Sequence, residues 1–361
     1  MTAKNKLPYL PMIFICSIFV LIGGIAYALN ETHLAKSKLP QGCQSCHRNH
    51  GSTGSVMLER PKDELCFKCH GAVKSGIPGE AQGDIYSIVL KRSSHPVIQT
   101  TQYHVRGESL PERLPSANRH ASCYDCHNPH LSTADRAYRG TKGYSGRGQD
   151  IIHAQNEYEV CYRCHSDSDN LPPDASNIAS KFEAGNASFH PVETIGKNSN
   201  MPSLTSDLST ASIITCGGCH GNDDKTGPKG PHGSIYDAIL SENYSMESGA
   251  ESPSAYELCY KCHRRASILD DESFAAHQRH VVFGNASCFA CHDAHGNTDH
   301  KNLINFDTRI VTPNSLGELS YLEYSPGKPR CFLTCHIDTA TYDHKLTGGL
   351  YCINSVCQPG W

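Results

Sequence analysis

HVVFGNASCFACHDAH, residues 280–295, is the stretch on which the reading of the whole chain turns. It sets a Cys-x-x-Cys-His sequence, Cys288, Cys291 and His292, between two further histidines, His280 and His295. Residues three apart on a helical turn share a face, so both sulfurs and the following imidazole project from one side. Two thiols so placed add across the two vinyl groups of a haem while the next imidazole binds its iron, which is why the motif reads as c-type haem attachment. His280 and His295 are then candidates for the opposite axial position.

The same pattern recurs at Cys43-Cys46-His47, Cys66-Cys69-His70, Cys123-Cys126-His127, Cys161-Cys164-His165, Cys216-Cys219-His220 and Cys259-Cys262-His263. An eighth, looser copy, Cys331-Phe-Leu-Thr-Cys335-His336, has one residue too many between its sulfurs. On a helix, positions four apart still share a face, so this copy too reads as an attachment site, with Cys335 alone as the alternative anchor. Together the copies use sixteen of nineteen cysteines. Zinc ribbons also use Cys-x-x-Cys, but they need no histidine immediately after the second cysteine, and a thioredoxin-like redox motif is not repeated eight times.

Composition agrees with a cofactor-filled interior. Hydrophobic residues make 38% of the chain, and 30 glycines and 20 prolines are poor material for a conventional core. A loop-rich protein of this kind needs staples, and eight covalently attached haem c groups supply both crosslinks and apolar bulk. The expected fold is mostly irregular with short α-helices, elongated, organised around stacked haems, with little β-sheet. The formal charge of −4 becomes about −22 with ferrous iron or about −14 with ferric iron, once sixteen propionates are added and Lys4 and Lys6 are lost. Such acidity favours redox partners with basic patches and excludes nucleic acid.

Residues 1–28 hold Lys4 and Lys6, an uncharged run from Leu7, and Ala26-Tyr27-Ala28 as a small-x-small cleavage site. They read as a secretory signal, or as an uncleaved anchor that would be the chain's one membrane attachment. In either case the chain is secreted across the inner membrane, to a periplasmic, extracellular or cell-surface location.

The motifs fall into four pairs, which divide the chain into units at 29–94, 95–185, 186–272 and 273–361, the last including a C-terminal tail. The first motif of a pair is followed by a histidine: His50, His130 and His295, with His232 restoring the pattern twelve residues after His220 in unit three. The second follows an acidic-aliphatic lead-in, as in ELCFKCH, EVCYRCH and ELCYKCH. Each unit also has an upstream histidine: His33, His95 and His190, the latter two both in His-Pro-Val, and His280 in His-Val-Val. Eight irons with eight motif histidines need eight more ligands, and the set in register is His33, His50, His95, His130, His190, His232, His280 and His295. His120 is the substitute for His33, while His104, His153, His277, His300 and His344 have no repeat partner and default to surface or capping roles. Met57, Met201 and Met246 are out of register as ligands.

Iron with two axial histidines has no open site for substrate, so the chemistry is outer-sphere electron transfer at low to moderate potential. The aromatic residues within the motifs, Phe67, Tyr124, Tyr162, Tyr260, Phe289 and Phe332, read as packing against porphyrin. Cys352 and Cys357 close a short loop as a disulfide or stand as two free thiols.

In these motifs, over residues 33–345, the chain resembles the multihaem c-type cytochromes, particularly those built from the doubled Cys-x-x-Cys-His module of periplasmic and outer-membrane electron conduits. The resemblance implies an electron carrier in extracellular electron transfer, not an enzyme, with the motif cysteines on haem and the motif histidines proximal. Some relatives polymerise into filaments, so redox proteins, other multihaem cytochromes and copies of the chain itself are the implied partners. The competing resemblance is to octahaem oxidoreductases of the nitrite, hydroxylamine or tetrathionate type. These need one open haem, and some mark it with a lysine where every motif here has histidine.

Overall fold

The computed structural model describes residues 33–35, 39, 41–48, 57–60, 62–71, 83–98, 121–167, 176–323, 329–337, 340–344, 350–353 and 356–359. The signal or anchor segment, His50, His104 and His120 lie outside the described residues, as do the side chains of His336, His344, Cys352 and Cys357.

Helices are short and sit largely at the motifs: α1 (Lys62–His70), α2 (Ile85–Val89), α3 (Cys123–Cys126), α4 (Glu157–His165), α5 (Ile178–Lys181), α6 (Glu257–Tyr260) and α7 (Arg265–Leu269). The acidic lead-ins are helix starts. α1 has Asp63 and Glu64 in its first turn and Lys68 and His70 in its last, which complements the helix dipole. Asn156 caps α4 in a capping box with Glu159, whose carboxylate accepts from the amides of Gln155 and Asn156 at 2.6 and 3.2 Å. First motifs occupy tighter turns: 3-10 turns at Gly42–Ser45, Cys216–Gly218 and Cys288–Ala290, and the single turn of α3. In each, the motif histidine's amide donates to the first cysteine's carbonyl, at 2.8 Å for His47, 2.9 Å for His127 and His220, and 3.0 Å for His292. One closed turn thus fixes both thiols and the imidazole together.

Three two-residue antiparallel ribbons cross-tie the chain. β1 (Ser93–Ser94) pairs with β5 (Gly233–Ser234), β2 (Gly143–Tyr144) with β3 (Asp150–Ile151), and β4 (Ser188–Phe189) with β6 (Gly296–Asn297). In two of them the register, Ser94↔Gly233 and Phe189↔Gly296, joins unit one to unit three and unit three to unit four.

The expectation of little β-sheet needs correcting. Residues 311–359 form a six-stranded antiparallel sheet of β7 (Val311–Thr312), β8 (Ser320–Glu323), β9 (Pro329–Ile337), β10 (Ala340–His344), β11 (Leu350–Ile353) and β12 (Val356–Pro359). β9 is central, paired with β7, β8 and β10, and it carries the eighth motif, for which a helix was expected. Spacing explains the difference. Side chains on a strand alternate faces, so residues four apart lie on one side and residues three apart on opposite sides. The extra residue between Cys331 and Cys335 keeps both sulfurs on one face with Leu333, which is 3% exposed.

The apolar core is divided into small clusters, each beside motif cysteines. Tyr144, Tyr162, Phe182 and Phe189 pack with Cys216. Tyr256, Leu269 and Val281 pack with Cys259 and Cys288. Ala286, Ala290, Ile310, Val311 and Leu333 pack with Cys291, Cys331 and Cys335.

Candidate haem sites

Seven motif histidines each face a histidine from elsewhere in the chain. Ring centroids are 6.0 Å apart for His47–His130, His33–His70 and His127–His232, 6.2 Å for His95–His165, 6.1 Å for His220–His295, 6.5 Å for His190–His263 and 6.4 Å for His277–His292. An imidazole nitrogen sits about 2.0 Å from a bound metal and about 1.15 Å from its own ring centre, so two imidazoles on opposite sides of one iron have centroids about 6.3 Å apart. The observed gaps match that distance and are too wide for direct ring stacking. In units one to three the pairs also sort by motif. Planes are nearly parallel at the first motifs, at 12°, 25° and 2° for His47, His127 and His220, and crossed at the second motifs, at 90°, 63° and 54° for His70, His165 and His263, whereas the His277–His292 pair of unit four is tilted at 44°.

Ring orientation is set by the nitrogen turned away from the gap. Nδ1–H donates to the Ala137 carbonyl from His127 (3.0 Å), to Ala238 from His220 (2.7 Å) and to Asn302 from His292 (2.9 Å). It donates likewise to Pro129 from His33 (3.0 Å), to Pro231 from His95 (2.7 Å) and to Ala294 from His190 (2.5 Å). A proton held on Nδ1 leaves Nε2 as the free donor to a metal, the usual way a protein fixes a ligating tautomer. Burial pushes the His165, His232, His263, His277 and His295 imidazoles down to about 4, which keeps them neutral and able to ligate.

The sites follow one another in sequence order. Thiols of successive motifs are hydrogen-bonded at Cys66–Cys123, Cys161–Cys216 and Cys259–Cys288, which joins motifs two to three, four to five and six to seven. Between these contacts, Cys46 is raised by burial and then by Cys66 and Cys69, and Cys331 is pushed up to about 12 by burial and then by Cys291. His232, opposite the third motif, feels His95, opposite the fourth, and His295, opposite the fifth, feels His190, opposite the sixth. Among the described residues no group of three or more Cys, His or acidic side chains gathers as a metal cluster, the arrangement zinc requires. Two opposed imidazoles with two thiols to the side are the donor set of a covalent haem.

Comparison with known sequences agrees. The doubled CXXCH motif family matches residues 38–75. The family described as outer membrane cytochrome MtrC/MtrF-like, domains II/IV, matches residues 119–304, just over half of the chain. The chain belongs to this MtrC/MtrF-like family. It is a multihaem c-type cytochrome of electron transport. A curated relative, "Multiheme cytochrome MtrA" of Shewanella baltica (strain OS185), is 25% identical over 125 residues, covering 35% of this chain and 24% of that protein. The chain thus matches about a quarter of that relative's length. No solved structure matches. Among the described residues, no helix of this MtrC/MtrF-like chain is long and apolar enough to cross a membrane.

The remaining histidines fall into place around these pairs. His295 faces His220 of the fifth motif and not His292, its own neighbour in sequence. His277, left without a role by the sequence, faces His292. Its signal was faint: Ala276-His277 repeats the small or proline residue that precedes His130, His232 and His295. The His280 ring centre lies 6.1 Å from that of Phe274, with planes 24° apart, and its Nδ1–H donates to the Ala276 carbonyl at 2.8 Å. His300 lies edge-on to Tyr321 at 5.7 Å, and His153 is exposed.

Proposed function

We propose that this chain is an octahaem c-type cytochrome that carries electrons, without catalysing a reaction of its own, along haems closed by axial histidine pairs, in extracytoplasmic or extracellular electron transfer. The observation that carries the reading is the set of iron-sized gaps between motif histidines and remote histidines. The pairs His47–His130, His70–His33, His127–His232, His165–His95, His220–His295 and His263–His190 hold six irons, and the motif cysteines attach each macrocycle. The units at 29–94, 95–185, 186–272 and 273–361 then each carry two haems. When bound, haem supplies a one-electron couple. The protein's own contribution is to fix both axial positions, which excludes substrate and leaves outer-sphere transfer. Thiol contacts between successive motifs support a path that would run in sequence order, from the first motif to the eighth. Other multihaem cytochromes fit as partners, as do further copies of the chain in a filament.

Intact mass of the secreted holoprotein, with EPR of its oxidised form, tests the proposal. Eight haems, all low-spin, are expected. Near-parallel imidazole planes split the iron d orbitals and give rhombic signals, whereas crossed planes leave them nearly degenerate and give large-g signals, so both classes should be present. High-spin iron equal to one full haem would refute the closed chain of haems. Electron microscopy of the secreted protein separates filaments from discrete carriers.

A further inference from the structure

We infer that His277 is the distal ligand of the seventh haem and His280 that of the eighth, so that unit four supplies both of its own distal ligands. The inference rests on the bis-histidine reading above and on a bond that repeats through the structure.

In three places the upstream histidine of one unit donates Nδ1–H to the residue just before the downstream histidine of the next. His33 donates to Pro129, which precedes His130; His95 to Pro231, which precedes His232; His190 to Ala294, which precedes His295. In each case the two imidazoles tied by that bond serve the two motifs of a single unit. His130 and His33 face His47 and His70 of unit one, His232 and His95 face His127 and His165 of unit two, and His295 and His190 face His220 and His263 of unit three.

Unit four has no following unit within this sequence, yet the bond is present. His280 donates Nδ1–H to Ala276 at 2.8 Å, and Ala276 is the residue just before His277. His277 in turn faces His292, the first motif histidine of unit four, at 6.4 Å. A π-helical turn at Gln278–Phe283 brings together in one segment what elsewhere needs two. The rule then gives His280 to the second motif of unit four, Cys331-Cys335-His336. Those two thiols pack with Ala286, Ala290 and Cys291, just beyond the turn that carries His280. All eight irons are satisfied without His50, which stands in the repeat where His130, His232 and His295 stand.

The test uses the full holoprotein, with haem count by intact mass and spin state by EPR. His277→Gly should keep eight haems and turn one of them high-spin, and added imidazole should restore it. His280→Gly should open one more haem, and that effect should vanish in a C331A/C335A background while the His277→Gly effect persists. His50→Ala should leave every iron low-spin. Should His277→Gly lose haem, His277→Met should keep the full count and show methionine ligation at one haem. A fully low-spin His277→Gly protein, or a high-spin His50→Ala protein, overturns the assignment. High-spin iron already present in the wild type would instead overturn the general bis-histidine reading.

Discussion

Replacement of His295 by alanine discriminates ligation shared between units from ligation within one. His295 lies three residues after His292, and the simplest expectation from that spacing is that its loss disturbs the seventh haem. The structure points elsewhere: His295 faces His220 across 6.1 Å with planes 2° apart, whereas His292 faces His277. Alanine carries no donor able to span half of that gap, so the iron on His220 becomes five-coordinate and high-spin. Since no other pair uses His295, the high-spin fraction should be about one-eighth of the total iron, with all haems still attached because the thioethers are untouched. Quantitative EPR with intact mass measures both. Repeating the substitution in a C216A/C219A background, which lacks the fifth haem, should abolish the high-spin signal. Persistence of the signal in that background, or opening of two haems by the single change, would refute the cross-unit pairing.

Three further outcomes are expected. A Cβ at Gly233 would lie 2.1 Å from the Ile88 carbonyl oxygen and one at Gly296 2.0 Å from that of Lys181, so Gly233→Ala and Gly296→Ala should each destabilise by about 1–3 kcal/mol in thermal or denaturant unfolding, whereas Gly185→Ala, at ordinary backbone angles, meets no neighbouring atom within 4 Å. Deleting Thr334 restores the common Cys-x-x-Cys-His spacing, yet on β9 it sends the two sulfurs to opposite faces, so the eighth haem should lose one of its two thioethers, read from the pyridine haemochrome spectrum. Cys352 and Cys357 stand directly opposite on β11 and β12, where Cα atoms are about 4.5–5.5 Å apart and within disulfide reach, so peptide mapping without reductant should recover them crosslinked.

How much of this was legible beforehand depended on the range of the interaction. The motifs and their turns are local: an acid pair before Cys66 or Cys161 is a helix start, and one backbone bond closes each Cys-x-x-Cys-His turn. The histidine phrases in register were legible as a set, but not their partners. Pairing is decided by ribbons such as Ser94↔Gly233, which join segments far apart in sequence through two residues each, too short to leave a periodic pattern. The eighth motif was misread as helical because its insertion was measured against a helical repeat, when four-residue spacing is equally a strand's. His277 was passed over because its unit replaces a downstream partner with a local turn. That substitution shows only once the bonds from His33, His95 and His190 can be compared.

Unit three shows what the repeat conserves. Its downstream histidine is displaced by a long insertion, and spacing alone would move His232 far from the place His130 and His295 occupy. The insertion is instead folded aside. Lys91 reaches from unit one to Asp223 at 2.7 Å and to Asn222 at 2.7 Å, while Asn222 donates to the Pro228 carbonyl at 3.1 Å. β5 then pairs with β1, as β6 does with β4. The outcome is a His127–His232 gap of 6.0 Å, the same as His47–His130 where no insertion exists. Chain length between ligands is therefore free to vary, whereas the bond from an upstream Nδ1 to the residue before the downstream histidine is not. That bond holds together the two histidines that face the two motifs of one unit, and in the proposed bis-histidine arrangement it would hold their two irons as well. If these pairs ligate haem as proposed, the separation between neighbouring cofactors, on which electron transfer along the chain would depend, is set by hydrogen bonding between units and not by the count of residues within them.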